Sequence, residues 1–173
     1  WARDDGQRQP DAVLAFSRHA TSKLETVEDL NCIETLGFRG EALASIASVS
    51  RLTLTTRHRD EDMGTVIGVA GGHVQAVRAI GAPAGTVIAV ENLFFNTPAR
   101  LNFLKADTTE RRHISQVVTR YAMAYPDVRF RLVQEGREQF HSTGSGDLAD
   151  VLVEVFGLDV FRDMLEVSPL PPA

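Results

Sequence analysis

The chain has 173 residues, 43% hydrophobic and 24% charged, an ordinary globular composition for one domain with room for the start of another. A net charge of -5 excludes a general electrostatic case for nucleic acid, so any such contact needs a local basic patch. The single cysteine, Cys32, excludes an internal disulfide or a cysteine metal cluster, and no apolar run reaches the length of a membrane span.

Asp4-Asp5-Gly6 reads as a turn. Pro10 and Asp11 then suit a helix N-terminus. Val13, Leu14 and Phe16 give this helix its expected apolar side, and it ends near His19. His19 has no partner carboxylate nearby in sequence and is read as structural. Thr21-Ser22-Lys23 follows as a loop carrying two hydroxyls and a flexible cation. Thr26 caps a second short helix with Leu30 and Ile33 inward and Cys32 as a buried thiol. Gly37 ends it. The stretch 21–40 therefore reads as a lid, with glycines as hinges.

Leu36-Gly37-Phe38-Arg39-Gly40-Glu41-Ala42-Leu43 is the most informative run. Two glycines bracket Phe38-Arg39, and a helix is expected over 41–49. Glycine allows close backbone approach, and the first N–H groups of a helix lack internal partners. An anion such as a phosphate suits that arrangement. The plainer alternative is a turn before a core helix. There is no G-x-x-x-x-G-K-[ST] loop, and no strand followed by G-x-G-x-x-G. The helix places Leu43, Ile46 and Ala47 on its inward side. Glu41 favours the helix dipole but repels a phosphate set against it, so backbone N–H groups are the expected anion contacts.

Strands follow. Residues 51–57 alternate, with Leu52 and Leu54 on one face and Thr53 and Thr55 on the other. Further strands are expected over 65–70, 74–80 and 86–91, with Gly71-Gly72 as a hairpin turn. The pattern implies an α/β two-layer sandwich with a mixed, largely antiparallel sheet, not a doubly wound parallel one. In the loop 92–100, Phe94 and Phe95 are adjacent and Asn96-Thr97-Pro98 fits a helix start. A short helix over 98–104 and a longer one over 109–124 come next. The longer one carries an apolar stripe of Ile114, Val117, Val118, Tyr121 and Ala122. Arg100, Lys105, Arg111, Arg112 and Arg120 form either a local basic surface or a solvated helix face. Strands over 128–133 and 138–142 precede a junction, and Ser145-Gly146-Asp147 opens a last amphipathic helix over 148–156. A domain boundary is expected there, giving 1–142 and 143–173. Both ends read as cut, and without a signal peptide the expected compartment is the cytoplasm.

Asp4-Asp5-Gly6, Arg18-His19-Ala20-Thr21-Ser22-Lys23, Leu36 to Leu43, Gly85-Thr86 and Leu93-Phe94-Phe95-Asn96-Thr97-Pro98-Ala99-Arg100 together resemble the MutL family of DNA mismatch repair ATPases. That family shares a superfamily with gyrase B, the chaperone Hsp90 and histidine kinases. The resemblance implies the Bergerat-type ATPase fold, incomplete at its N-terminus, over 1–142, with 143–173 as a junction and the start of an S5-like second domain. It implies ATP and Mg²⁺ as cofactors. Asp4 would accept from the exocyclic amine of adenine, which suits an acceptor-only carboxylate. Gly6 would let the chain pass close to the base, and Thr86 would join the water network beside it. Thr21, Ser22 and Lys23 would belong to the lid around the phosphates. Gly37, Phe38, Arg39, Gly40, Glu41, Ala42 and Leu43 would form the second phosphate motif, with N–H donors from Arg39 to Leu43. Arg100, Arg111 and Arg112 are the candidate DNA contacts.

The implied role is a bacterial, nucleoid-associated clamp that dimerises through its N-terminal region on ATP and works with a MutS-like mismatch-recognition protein and DNA, without a membrane. The family's water-activating glutamate and magnesium-holding asparagine lie on an earlier helix, and its γ-phosphate lysine lies in the second domain. None has a counterpart in this string, so the parent protein is expected to hydrolyse ATP and these residues alone are not. Arg8 stands where the family motif Asp-x-Gly-x-Gly-Ile has its second glycine. Either that part of the pocket is altered or residues are missing from the string. The alternative function is a non-catalytic DNA- or protein-binding scaffold with a degenerate pocket; a topoisomerase or chaperone fits the Asn96-Thr97-Pro98-Ala99-Arg100 loop less well.

Overall fold

Alternation of side chains across one strand sets the frame of the first half of the molecule. In the computed structural model, which describes residues 6–17 and 41–167, strand β1 (Arg51–Arg57) buries Leu52, Leu54 and Thr56 and turns the residues between them outward. Strand β2 (Gly64–Ala70) does the same with Thr65, Ile67 and Val69. The two pair antiparallel, so Leu54 stands opposite Ile67 and Leu52 opposite Val69. Gly71 and Gly72, both with positive φ, turn the chain into β3 (His73–Ile80). A bulge there sets Gly68 against Ala76 and Val69 against Val74, leaving Gln75 out of the pairing. Strand β4 (Gly85–Glu91) pairs antiparallel with the other side of β1 and sets Thr86 opposite Thr56. The order is β3-β2-β1-β4, and every pairing among the described strands is antiparallel.

Two short helices cover one face of this sheet. They are α1 (Gln9–Leu14) and α2 (Ala42–Ser48). The core between the layers is Ala12, Ala47, Leu52, Leu54, Ile67 and Val69, with Phe16 and Leu43 packed against it. This is the expected α/β two-layer sandwich. The expected helix faces need correction. Ala12 carries α1 inward and Phe16, just past its end, packs against the same core, while Val13 and Leu14 are 37% and 56% exposed. Leu43 and Ala47 carry α2 inward, while Ile46 is 40% exposed. In both helices an alanine is the most buried residue, because a small residue lets a helix approach a sheet closely. A four-residue helix, α3 (Pro98–Leu101), closes this part of the chain.

The described residues divide into two compact units, one up to residue 104 and one from 105 onward. The second unit contains α4 (Asp107–Ala124), a hairpin of β5 (Arg131–Gln134) and β6 (Arg137–His141), α5 (Leu148–Phe156) and α6 (Leu158–Arg162). Glu135 and Gly136, both at positive φ, make the hairpin turn. Ala122 from α4, Phe140 from β6 and Val151 from α5 are buried together. Of the stripe expected on α4, Val118 and Ala122 pack into this core, whereas Ile114, Val117 and Tyr121 are exposed. Asp147 caps α5 by accepting from the Ala149 N–H at 2.8 Å. Among the described residues no helix is long and apolar enough to cross a membrane.

Candidate nucleotide site

The end of β1 nearest Arg57 holds a connected set of polar groups. Gly6 has φ +77 and lies against the strand so closely that a Cβ would sit 1.7 Å from the Arg57 carbonyl oxygen. Only glycine fits there. Its neighbour Gln7 donates its backbone N–H to Thr56 Oγ1 at 2.8 Å. Thr56 Oγ1 in turn lies 2.9 Å from Thr86 Oγ1 on the adjacent strand. Gln7 Oε1 is buried without a hydrogen-bond partner among the described residues. Such an atom is uncommon in folded proteins and marks a place where a polar ligand atom or water would be welcome. The Arg57 side chain ties down two loops at the same end of the sheet. Its Nε donates to the Ala82 carbonyl and its Nη1 to the Glu61 carbonyl, each at 2.6 Å.

Arg8 is extended, at φ -74 and ψ 151, and starts α1 by accepting the Ala12 N–H at its carbonyl, 2.9 Å away. Gly6 is left-handed and Arg8 is not, so an arginine at position 8 carries no backbone strain.

The second feature is how α2 is held. Glu41 stands just before it, and its carbonyl accepts the Ser45 N–H at 2.9 Å. The last carbonyls of a helix have no partner within it. Here the hairpin turn and the Phe94–Asn96 loop supply them. Gly72 N–H donates to Ala47 O at 2.9 Å, Asn96 Nδ2 to Ser48 O at 2.9 Å, Phe94 N–H to Val49 O at 2.6 Å, and Gly71 N–H to Ser50 O at 3.1 Å. Phe94 makes its bond from positive φ, a strained state for an aromatic residue, and Arg51 lies over the Phe95 ring at 5.3 Å. The Phe-Asn-Thr-Pro segment therefore acts at the C-terminal end of the helix whose N-terminal end follows the glycine-bracketed motif.

Of the residues expected at the site, Asp4, Thr21, Ser22, Lys23, Gly37, Phe38, Arg39 and Gly40 lie outside the described residues. Gly6 and Thr86 come together around Thr56. Glu41 is half-buried, Ala42 is exposed, and Leu43 packs against the core. Arg100 is exposed on α3 in the first unit. In the second unit Arg112 is exposed, while Arg111 pairs with Glu135 at 2.6 Å and, more loosely, with Asp107 at 4.0 Å. Reading of the sequence missed Thr56 and Gln7. A signal for Thr56 existed, because it falls in phase with Leu52 and Leu54 on the inward face.

The two-layer sandwich matches the Bergerat-type ATPase fold of solved MutL structures. The chain matches the Aquifex aeolicus MutL ATPase domain complexed with ADP at 39% identity and TM-score 0.65, over 76% of this chain and 52% of that one. A second structure of that ATPase domain matches at 37% identity and TM-score 0.53 over 66% of this chain and 44% of that one. In sequence, the MutL protein of Desulforamulus reducens is 53% identical over 167 residues, which is 95% of this chain, and that of Streptococcus mutans is 46% identical over 167 residues. The chain is homologous to the N-terminal ATPase region of the MutL DNA mismatch repair proteins. It spans 26% of the length of those two relatives. No protein-family model matches it.

Proposed function

We propose that this region binds ATP and belongs to a nucleotide-driven clamp of DNA mismatch repair. The observation that carries the reading is the Gly6–Gln7–Thr56–Thr86 cluster, a built polar site with a buried, unpartnered Gln7 Oε1, in a chain homologous to MutL ATPases. In this reading Asp4 and Thr86 face adenine, and Thr21, Ser22, Lys23 and the run Gly37 to Leu43 surround the phosphates. Closure of the 21–40 stretch over ATP excludes water and favours self-association of the N-terminal region. Residues 143–173 begin the S5-like second domain, and Arg100, Arg111 and Arg112 are DNA contacts. A MutS-like protein recruits the clamp in the bacterial cytoplasm.

Mg²⁺ bound with ATP would neutralise phosphate charge. Among the described residues no group of three His, Cys, Asp or Glu side chains is placed to hold a metal ion, so no step is assigned to a metal in this region. No catalytic residue is assigned within the 173 residues either. The scaffold alternative draws on Arg8 and on the missing earlier helix; the extended backbone at Arg8 bears on the first of these alone, because it carries no strain there.

The test is titration calorimetry of a non-hydrolysable ATP analogue with Mg²⁺ on the full-length parent chain, with solution mass measured alongside. Saturable binding and a nucleotide-dependent rise in mass are expected. Absence of binding overturns the nucleotide reading. Binding without any change in mass overturns the clamp.

A further inference from the structure

Thr56 repays a count of hydrogens. Its side chain is 1% exposed. A threonine hydroxyl has one hydrogen to give and two lone pairs to receive. One lone pair takes the Gln7 N–H. Among the described residues the oxygen's one other hydrogen-bond neighbour is Thr86 Oγ1, held opposite by the β1–β4 register. Two polarities are conceivable. If Thr86 donates, Thr56 accepts twice and its own hydrogen is buried with no acceptor, at the full desolvation penalty of an unsatisfied group. If Thr56 donates, every atom of Thr56 is satisfied. Thr86 then has its hydrogen free to point away from Thr56, and Thr86 is half-exposed.

We infer that Thr56 is a positioning residue for base recognition: it makes the Thr86 hydroxyl a hydrogen-bond donor toward the nucleotide. The inference rests on the nucleotide reading above. A donor at that point suits a purine edge with a ring acceptor, such as adenine N1. It opposes one with an N–H, such as guanine N1, because two donors would meet. The backbone of Gln7 thus contributes to base choice from two hydroxyls away.

The test uses the full-length chain and measures affinity for non-hydrolysable ATP and GTP analogues by calorimetry. Thr56→Val removes the relay at nearly constant volume, and Thr56→Ser retains it. The adenine-over-guanine preference is expected to fall about tenfold in Thr56→Val, the worth of one oriented hydrogen bond, and to stay near wild type in Thr56→Ser. Unfolding midpoints and circular dichroism accompany each variant, since a purely structural role for Thr56 would lower stability and leave the preference alone. A second measurement needs no change at Thr56. In the wild-type chain, the 1-deaza-ATP analogue, which carries C–H in place of N1, is expected to bind about tenfold more weakly than ATP. Thr86→Val should abolish that difference.

If wild type binds neither nucleotide, the nucleotide reading fails and takes this inference with it. If wild type binds ATP but Thr56→Val keeps its preference, or 1-deaza-ATP binds as tightly as ATP, the relay alone is overturned.

Discussion

Thr56 at the end of β1 and Ser142 just after β6 are both buried hydroxyls, 1% and 3% exposed, one in each compact unit. Ser142 is satisfied within its own unit. Its Oγ accepts the Phe130 N–H at 2.9 Å and donates to the Val128 carbonyl at 3.2 Å, and its backbone N–H bonds Phe130 O at 2.8 Å. The Thr56 circuit runs on instead to Thr86 and has the unpartnered Gln7 Oε1 beside it. Both hydroxyls cost something to bury, and both are held by backbone from a distant part of the chain. A closed circuit returns that cost as stability. An open one keeps hydrogen-bonding capacity for something else, which is what the proposed nucleotide site requires.

The two units also differ in how tightly a glycine is wedged against a strand, and this gives the largest expected effect. A Cβ on Gly6 would lie 1.7 Å from Arg57 O, while one on Gly144 would lie 2.9 Å from the Arg129 N, both at positive φ. Gly6→Ala combines the left-handed penalty with displacement of the β1 end. It is expected to cost more than about 2 kcal/mol and to abolish nucleotide binding in the full-length chain. Gly144→Ala also meets backbone, the Arg129 N at 2.9 Å, and the same left-handed penalty, but the displacement it forces is smaller, so it should cost less, with binding intact. Urea unfolding midpoints and calorimetry on both variants check this. Equal losses from the two would break the contrast between the units.

The sequence was most legible where one face of a strand is buried. Leu52 and Leu54, the Gly71-Gly72 turn and the α5 bounds are found as the pattern implies. Period 2 leaves little ambiguity when every second side chain faces the core. Helix faces were less legible. Val13, Leu14 and Ile46 are large and apolar, so they dominate a periodic reading, yet the contacts are made by Ala12 and Ala47. Side-chain size misleads wherever the need is for close approach. At the site, Gly6 and Thr86 came from family resemblance. Thr56 did not, because its role depends on the register that pairs residues 30 positions apart, and spacing along one chain does not encode register. Nor does it show that Asn96 and Phe94 serve the end of α2.

An intermediate effect is expected from opening the closed circuit. Ser142→Ala strips the acceptor from the Phe130 N–H and the donor from Val128 O. The expected loss is about 1–3 kcal/mol, since the stranded groups are costly once buried. Hydrogen exchange should speed up in β5 and β6, with nucleotide affinity in the full-length chain unchanged. A fall in affinity would show that Ser142 belongs with Thr56 after all, and the contrast between the closed and open circuits would not hold.

The smallest effect concerns charge on the second unit's hairpin. Arg131 Nε donates to Glu138 Oε2 at 2.6 Å across β5 and β6. That bond, foremost, holds the Glu138 carboxyl below its ordinary 4.5; loss of hydration opposes it, and the charges of Arg131 and then His141 help. A lowered folded value means that the carboxylate stabilises the hairpin at pH above the unfolded value and loses this as pH falls through the folded one. Glu138→Gln should therefore lower the thermal midpoint slightly at neutral pH. The gap to wild type should narrow as pH drops below 4.5 and close at lower pH. Because the pair is at the surface, added salt should shrink the gap at neutral pH too. A gap that persists in acid would mean Glu138 acts through packing, and the hairpin would then be held, like the Ser142 circuit, by contacts that ignore charge.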